Sequence, residues 1–200
     1  MKIGIVSDLP DVVDILSGVI CSVSEHEILW VARTGANAIS SCVSNAPDLI
    51  LFDIAMPDME GIEVVRHLTK ETSCPILIVS AHLEADTSRI FSAMGHGALD
   101  VVSMPSPEVT DVHARAAPLL AKINMIRKLI GHSPDRRGGI ARSASPHSSH
   151  LLVIGASAGG PAALGEVLCG LPEDFPAAVV IVQHVDERFT SGMAEWLNQH

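Results

Sequence analysis

The first 123 residues predict an α/β fold, a doubly wound five-stranded parallel sheet, on three observations. Short apolar runs alternate with longer amphipathic stretches. The runs are aliphatic: the chain is 48% apolar but only 3% aromatic, with no Tyr, as suits strands buried on both faces. Polar residues fall just where the runs end, the edge at which open parallel sheets bind ligands. The runs are residues 3–6, 28–32, 49–52, 76–79 and 101–102. Helical patterns fill about 10–22, 35–45, 61–71 and 84–94, and a fifth covers about 108–130, with a break expected near Pro118. Alternating strands and helices imply right-handed crossovers, and five such units fit the flavodoxin-like strand order.

Charge divides the 200-residue chain. Residues 1–123 carry 7 Lys/Arg against 16 Asp/Glu, residues 124–149 carry 5 against 1, and residues 150–200 carry 1 against 6. Two acidic blocks therefore flank a basic connector. Residues 131–149 are rich in Gly, Ser, Pro and Arg, which is a linker composition. The expected division is a domain over 1–123, a helix end and flexible linker over 124–149, and a second unit over 150–200. A net charge of −10 argues against a general nucleic-acid binder. No apolar run approaches the ~18 residues that cross a bilayer, and the opening Met-Lys-Ile-Gly-Ile-Val reads as a strand and not as a signal peptide. A cytoplasmic protein with no direct membrane insertion is expected. Cys21, Cys42, Cys74 and Cys169 lack metal-like spacing and lie in apolar segments, so buried free thiols are expected.

The strand ends hold chemistry. Ser7 and Asp8 follow the first strand, Asp53 the third, Ser80 the fourth, and Ser103 and Met104 the fifth. An acid at a buried strand end costs several kcal/mol unless paired or metal-bound. Two carboxylates with room for water suit Mg²⁺.

Four stretches carry a family resemblance: Ile-Val-Ser-Asp (5–8), Asp-Leu-Ile-Leu-Phe-Asp-Ile-Ala-Met-Pro-Asp-Met-Glu-Gly (48–61), Ile-Val-Ser-Ala (78–81) and Gly-Ala-Leu-Asp-Val-Val-Ser-Met-Pro (97–105). Over residues 1–123 the chain resembles the receiver domains of two-component response regulators. The resemblance implies that Asp53 takes a phosphoryl group from a histidine kinase and that Asp8, Asp53 and the Ala55 carbonyl hold Mg²⁺. It also implies that Ser80 binds a phosphoryl oxygen and that Pro105 follows a cis peptide. Two residues depart from the family pattern. Ser7 stands where a second acid is usual, which lowers the expected Mg²⁺ affinity. Met104 stands where a Lys is usual, which removes a cation from a buried charge cluster. Slower or weakly coupled phosphorylation is expected, or another cation in the place of that Lys. The alternative is a degenerate receiver that is never phosphorylated.

A new pattern opens at Leu151, with strands at 151–154 and 179–182 and helices at 160–170 and 190–199. Some fifty residues bury too little surface for comfortable stability alone, so the chain is expected to stop within a domain. Gly155-Ala156-Ser157-Ala158-Gly159 matches G-x-S-x-G between a strand and a helix. Small neighbours permit a tight turn that exposes the Ser157 hydroxyl. The helix N-terminus behind it supplies N–H groups for a developing oxyanion. The same pattern also fits an ordinary glycine-rich turn or an anion-binding loop. His184 follows the next strand, which puts it at the same sheet edge as a candidate general base.

Ile-Gly-Ala-Ser-Ala-Gly-Gly-Pro, Ile-Val-Gln-His-Val and Phe-Thr-Ser-Gly-Met-Ala-Glu-Trp-Leu, following a receiver, make the whole chain similar to the CheB family of chemotaxis response regulators, the protein-glutamate methylesterases. Lys-Ile-Gly-Ile-Val-Ser-Asp and Ala-Met-Gly-His-Gly-Ala-Leu-Asp are closer to the Wsp-type variant. The second unit is then the opening βαβα fragment of an α/β methylesterase domain. The resemblance implies hydrolysis of glutamyl methyl esters on methyl-accepting chemoreceptors, with Ser157 as nucleophile and His184 as base, glutamine deamidation as a further activity, and a CheA-like histidine kinase as partner. The family's triad Asp lies well downstream of the His, and Asp186 is too near it in sequence to reach behind the ring. The 200-residue chain is thus expected to be truncated and to show little esterase activity. The alternative is a non-catalytic receiver module that binds a kinase or receptor complex.

Overall fold

The computed structural model describes residues 1–56, 61–106, 111–131, 150–186 and 189–198. Its first unit is β1 (Lys2–Val6), α1 (Pro10–Cys21), β2 (Glu27–Ala32), α2 (Gly35–Ser44), β3 (Leu49–Asp53), α3 (Gly61–Glu71), β4 (Ile76–Ser80), α4 (Thr87–Gly95), β5 (Asp100–Ser103) and α5 (Val112–Gly131). The five strands form one parallel sheet in the order β2-β1-β3-β4-β5, the flavodoxin-like order the alternation predicts.

The period-two rule of a strand sorts the core. Leu49, Leu51, Leu77 and Val79 join Leu16, Leu119, Ile123 and Ile126 on the α1/α5 side. Ile50, Phe52, Ile76 and Ile78 join Val65, Leu68, Ile90 and Phe91 on the α2/α3/α4 side. Every residue of β3 and β4 is buried, so the acid that ends β3 emerges from a dry sheet.

Four local expectations are corrected. First, α5 runs unbroken through Pro118. That proline faces solvent, while Leu119, Ile123 and Ile126 are fully buried around it. Their burial, at about 1.5–3 kcal/mol each, outweighs the ~3 kcal/mol of an interior proline. Second, α4 begins at Thr87 and not near 84, because the chain turns at Glu84–Asp86 before the helix. Third, two of the four thiols are not buried: Cys21 and Cys169 end their helices and are exposed. Cys42 is buried with its Sγ 3.6 Å from that of half-buried Cys74. Burial and the neighbouring Cys42 push the Cys74 thiol up to about 11. Fourth, no cis peptide occurs among the described residues, so the Met104–Pro105 bond is trans.

The second unit is β6 (His150–Ala156), α6 (Gly160–Cys169), β7 (Ala177–Gln183) and α7 (Thr190–Leu197), with β6 and β7 parallel. One face of this pair is open: Leu151, Val153, Val180 and Val182 are exposed. On the other side, Ile154 and Ile181 join the receiver-side core, together with Leu164, Phe189, Met193 and Trp196. The seam is α4. Phe91 meets Phe189 edge-on, with centroids 6.0 Å apart, and stacks on Trp196 at 6.1 Å. Gly95 permits this approach, since a Cβ there would lie 2.8 Å from the Trp196 ring.

Far from these strand ends, His26 is 7% exposed and neither ring nitrogen has a partner among the described residues. Burial first, then the charges of the amino terminus and Arg127, hold its pKa below the usual imidazole value. Folding therefore disfavours the charged ring. The neutral ring's contribution is complete above the unfolded pKa, about 6.5, and is lost as pH falls below it. His26→Leu is therefore expected to lose less stability than wild type between about pH 7.5 and pH 5.5, read by urea unfolding. Equal losses would remove His26 as a source of acid sensitivity.

Candidate functional site

Parallel register brings the strand ends together: Asp53 pairs with Val79 and Ser80 with Ser103. Asp53 is 2% exposed. Its Oδ2 accepts a bond from Ser7 Oγ at 2.8 Å, and its Oδ1 accepts one from the Ala55 amide at 3.0 Å. Burial pushes its pKa up and the charges of Asp8 and Asp86 add to that, while the two donors oppose it. A buried carboxylate whose donors among the described residues are all neutral is short of positive charge. That deficit, with Asp8 beside it, fits a hard divalent cation that keeps most of its waters.

Ser7 is buried and spends its proton on Asp53 directly. Met104 packs against the α1/α5 core, and its amide donates to the Ser80 carbonyl at 2.7 Å. Among the described residues no Lys or Arg pairs with Asp53. Lys122 is held by Asp100 at 2.5 Å, at the opposite end of β5, and Arg33 donates to the Asp8 carbonyl at 3.3 Å. Ser80 is buried, and its hydroxyl donates to Asp86 Oδ2 at 2.7 Å while accepting the His82 amide at 3.0 Å. Sequence reasoning missed Asp86, which lies six residues on across a turn with no motif to mark it. Residues 57–60 of the acid-to-glycine motif lie outside the described residues.

At the second site, register carries β6 and β7 side by side to Ala156 and Gln183, and the His184 amide donates to the Ala156 carbonyl at 2.9 Å. Ser157 and His184 thus leave adjacent strand ends. Both are exposed, and no hydrogen bond joins their side chains among the described residues. Gly159 has φ +75°, which only glycine adopts cheaply. Its amide donates to the Leu99 carbonyl of the receiver at 2.6 Å, so one N–H expected to be free at this turn is taken. Gln183 is the residue sequence reasoning missed: its Nε2 donates to the carbonyls of Ser157 and His184 at 2.8 and 3.1 Å, pinning the turn from the neighbouring strand.

The raised Asp53 pKa carries a sign. A carboxyl whose folded value lies above its unfolded one opposes folding once ionised. The cost is absent in acid, where both states hold the proton, and complete above the folded pKa. In Mg²⁺-free buffer at neutral pH, Asp53→Asn is expected to stabilise the fold by ~1 kcal/mol or more, the scale of relieving a buried charge. The gap should close on acidification, and Mg²⁺ should narrow it by stabilising wild type alone. Thermal unfolding with and without Mg²⁺ measures both effects.

Two family descriptions match the chain: response regulator receiver domain over residues 3–115 and CheB methylesterase over residues 152–200. A protein-glutamate methylesterase/protein-glutamine glutaminase of Mesorhizobium japonicum is 44% identical over 100% of this chain and 60% of its own length. One of Pseudomonas savastanoi pv. phaseolicola is 48% identical over 99% of this chain and, again, 60% of its own length. The chain therefore spans about three fifths of these relatives. The crystal structure of the response regulator domain of Thermotoga maritima CheB superposes with a TM-score of 0.55 at 25% identity, covering 67% of this chain and 98% of that one. Buried acid, strand-end hydroxyl, sheet order and matched span agree: the chain belongs to the response-regulator receiver family, and its receiver leads into a segment of CheB methylesterase type.

Proposed function

We propose that this chain is the regulatory part and catalytic opening of a chemotaxis-type methylesterase, switched by phosphorylation of Asp53. The observation that carries the reading is the desolvated Asp53 carboxylate, held by two neutral donors at the C-terminal edge of the receiver sheet. A carboxylate oxygen of Asp53 attacks the phosphorus of a phosphohistidine on a CheA-like kinase. The P–N bond breaks, its electron pair returns to the imidazole nitrogen, and an acyl phosphate remains. Asp8, Asp53 and the Ala55 carbonyl would hold Mg²⁺, which when bound neutralises charge on the transferring group. The Ser80 hydroxyl then donates a hydrogen bond to a phosphoryl oxygen. Met104 packs against the α1/α5 core and no Lys or Arg among the described residues pairs with Asp53, so transfer is slow relative to a receiver with the usual Lys.

In the longer protein, Ser157 Oγ attacks the carbonyl carbon of a glutamyl methyl ester on a methyl-accepting chemoreceptor. His184 takes the serine proton and delivers it to the departing methanol; water then releases the glutamate. Deamidation of receptor glutamines uses the same attack with ammonia leaving. The reaction belongs in the cytoplasm. Among the described residues no helix is long and apolar enough to cross a membrane. A second reading, a receiver that works by binding alone, is favoured by one observation: the side chains of Ser157 and His184 are exposed and unbonded to each other.

Intact mass after acetyl phosphate and Mg²⁺ should show an added phosphoryl group in wild type and none in Asp53→Asn. No adduct on folded wild type overturns the phosphorylation reading. Met104→Lys should raise the labelling rate by roughly 10- to 150-fold, the weight of one charge-assisted contact at ~1.5–3 kcal/mol. Methanol release from methylated receptor by the full-length protein, abolished in Ser157→Ala, tests the esterase; release that survives this change assigns the chemistry elsewhere.

A further inference from the structure

Asp86 stands where a helix cap belongs, and its side chain does something else. It immediately precedes α4, and its carbonyl accepts the Ile90 amide at 2.9 Å. Asp is a favoured capping residue whose carboxylate ordinarily accepts the amides of the first turn. Here it makes no such bond. One carboxylate oxygen is turned instead to the Ser80 hydroxyl at 2.7 Å, and the other stands 3.9 Å from Arg89. A serine hydroxyl has one proton. While that proton is given to Asp86 it is not available to a phosphoryl oxygen on Asp53.

We propose that Asp86 is a positioning residue with two alternative engagements: it latches the Ser80 hydroxyl in the resting receiver, and it caps α4 once that hydroxyl is withdrawn. The inference rests on the reading of Asp53 as phosphoryl acceptor and adds the path by which its state reaches the serine-bearing segment. Phosphorylation brings a further negative charge to a site whose carboxyl already feels Asp86 and offers Ser80 stronger acceptors. Both effects drive the exchange. Capping moves the carboxylate onto the first turn of α4, one turn before Phe91. That ring abuts Phe189 and Trp196, so the seat of α7 on α4 answers to the orientation of one hydroxyl.

The chain has two tryptophans, Trp30 and Trp196, so Trp30→Phe leaves Trp196 as the sole reporter. In that background, unphosphorylated Ser80→Ala frees Asp86, and Trp196 emission should move toward the value that acetyl phosphate produces in the parent. Asp86→Asn keeps an acceptor oxygen and should stay near the parent. In an Asp86→Ala background, Ser80→Ala should cause no further shift, because the two residues act as one pair. Asp86→Ala alone should also raise the acetyl-phosphate labelling rate about fivefold, the factor carried by one released hydrogen bond. An unchanged emission on Ser80→Ala, or the same shift in both backgrounds, overturns the latch. Amide exchange across residues 87–91 reads the same cycle with Trp30 in place, should Trp30→Phe unfold. If wild type takes no phosphoryl group, the phosphorylation reading fails, while the cycle on unphosphorylated protein still decides the latch.

Discussion

A carboxylate taken out of water governs the receiver. Asp53 ends a strand whose every side chain is buried, so its charge is cut off from solvent, and no Lys or Arg among the described residues pairs with it. The surroundings answer with what a parallel sheet supplies cheaply at its C-terminal edge: a hydroxyl from β1's end, an amide from the chain just beyond β3, and two further carboxylates that deepen the deficit. A divalent cation, or a group carrying one, would relieve that deficit.

The loss of the usual strand-5 lysine has a packing counterpart. Met104 is partly buried and packs against the α1/α5 core, so the position supplies contact and no charge. The nearby cation on α5 is already committed, since Lys122 holds Asp100 at the far end of β5. At this position packing takes the place of charge, and no Lys or Arg among the described residues pairs with Asp53. Ser7 is a parallel case. It keeps the hydrogen bond of an acid-site residue and gives up the charge.

The sheet was legible because a strand buried on both faces leaves a run of aliphatic residues, and its order because successive runs are joined by helices. Asp53, Asp8 and Ser80 were legible because a polar residue ending such a run has few other reasons to be there. Asp86 was not, since its role depends on a turn that delays α4 by three residues and folds the carboxylate back on Ser80. The continuity of α5 through Pro118 was hidden for another reason: the burial of Leu119, Ile123 and Ile126 is tertiary, and local propensity cannot report it. Gln183 reads as an ordinary polar end to a strand until the neighbouring turn is in place beside it.

Helix α4 touches both chemistries. At its N-terminal end sits the Ser80–Asp86 bond. Beyond its C-terminal end, Leu99 gives its carbonyl to the Gly159 amide in the serine turn. Nine helical residues span only about 13 Å at 1.5 Å per residue, and the aromatic seam of Phe91, Phe189 and Trp196 lies between. A rigid rod of that length has little means of moving at one end alone. The glycines that admit Trp196 and shape the turn leave the seam tightly packed, and packed interfaces repack between discrete arrangements more readily than they stretch. The physical link between the Asp53 site and the Ser157 turn is therefore short: one hydroxyl, one carboxylate, one helix and one stacked ring.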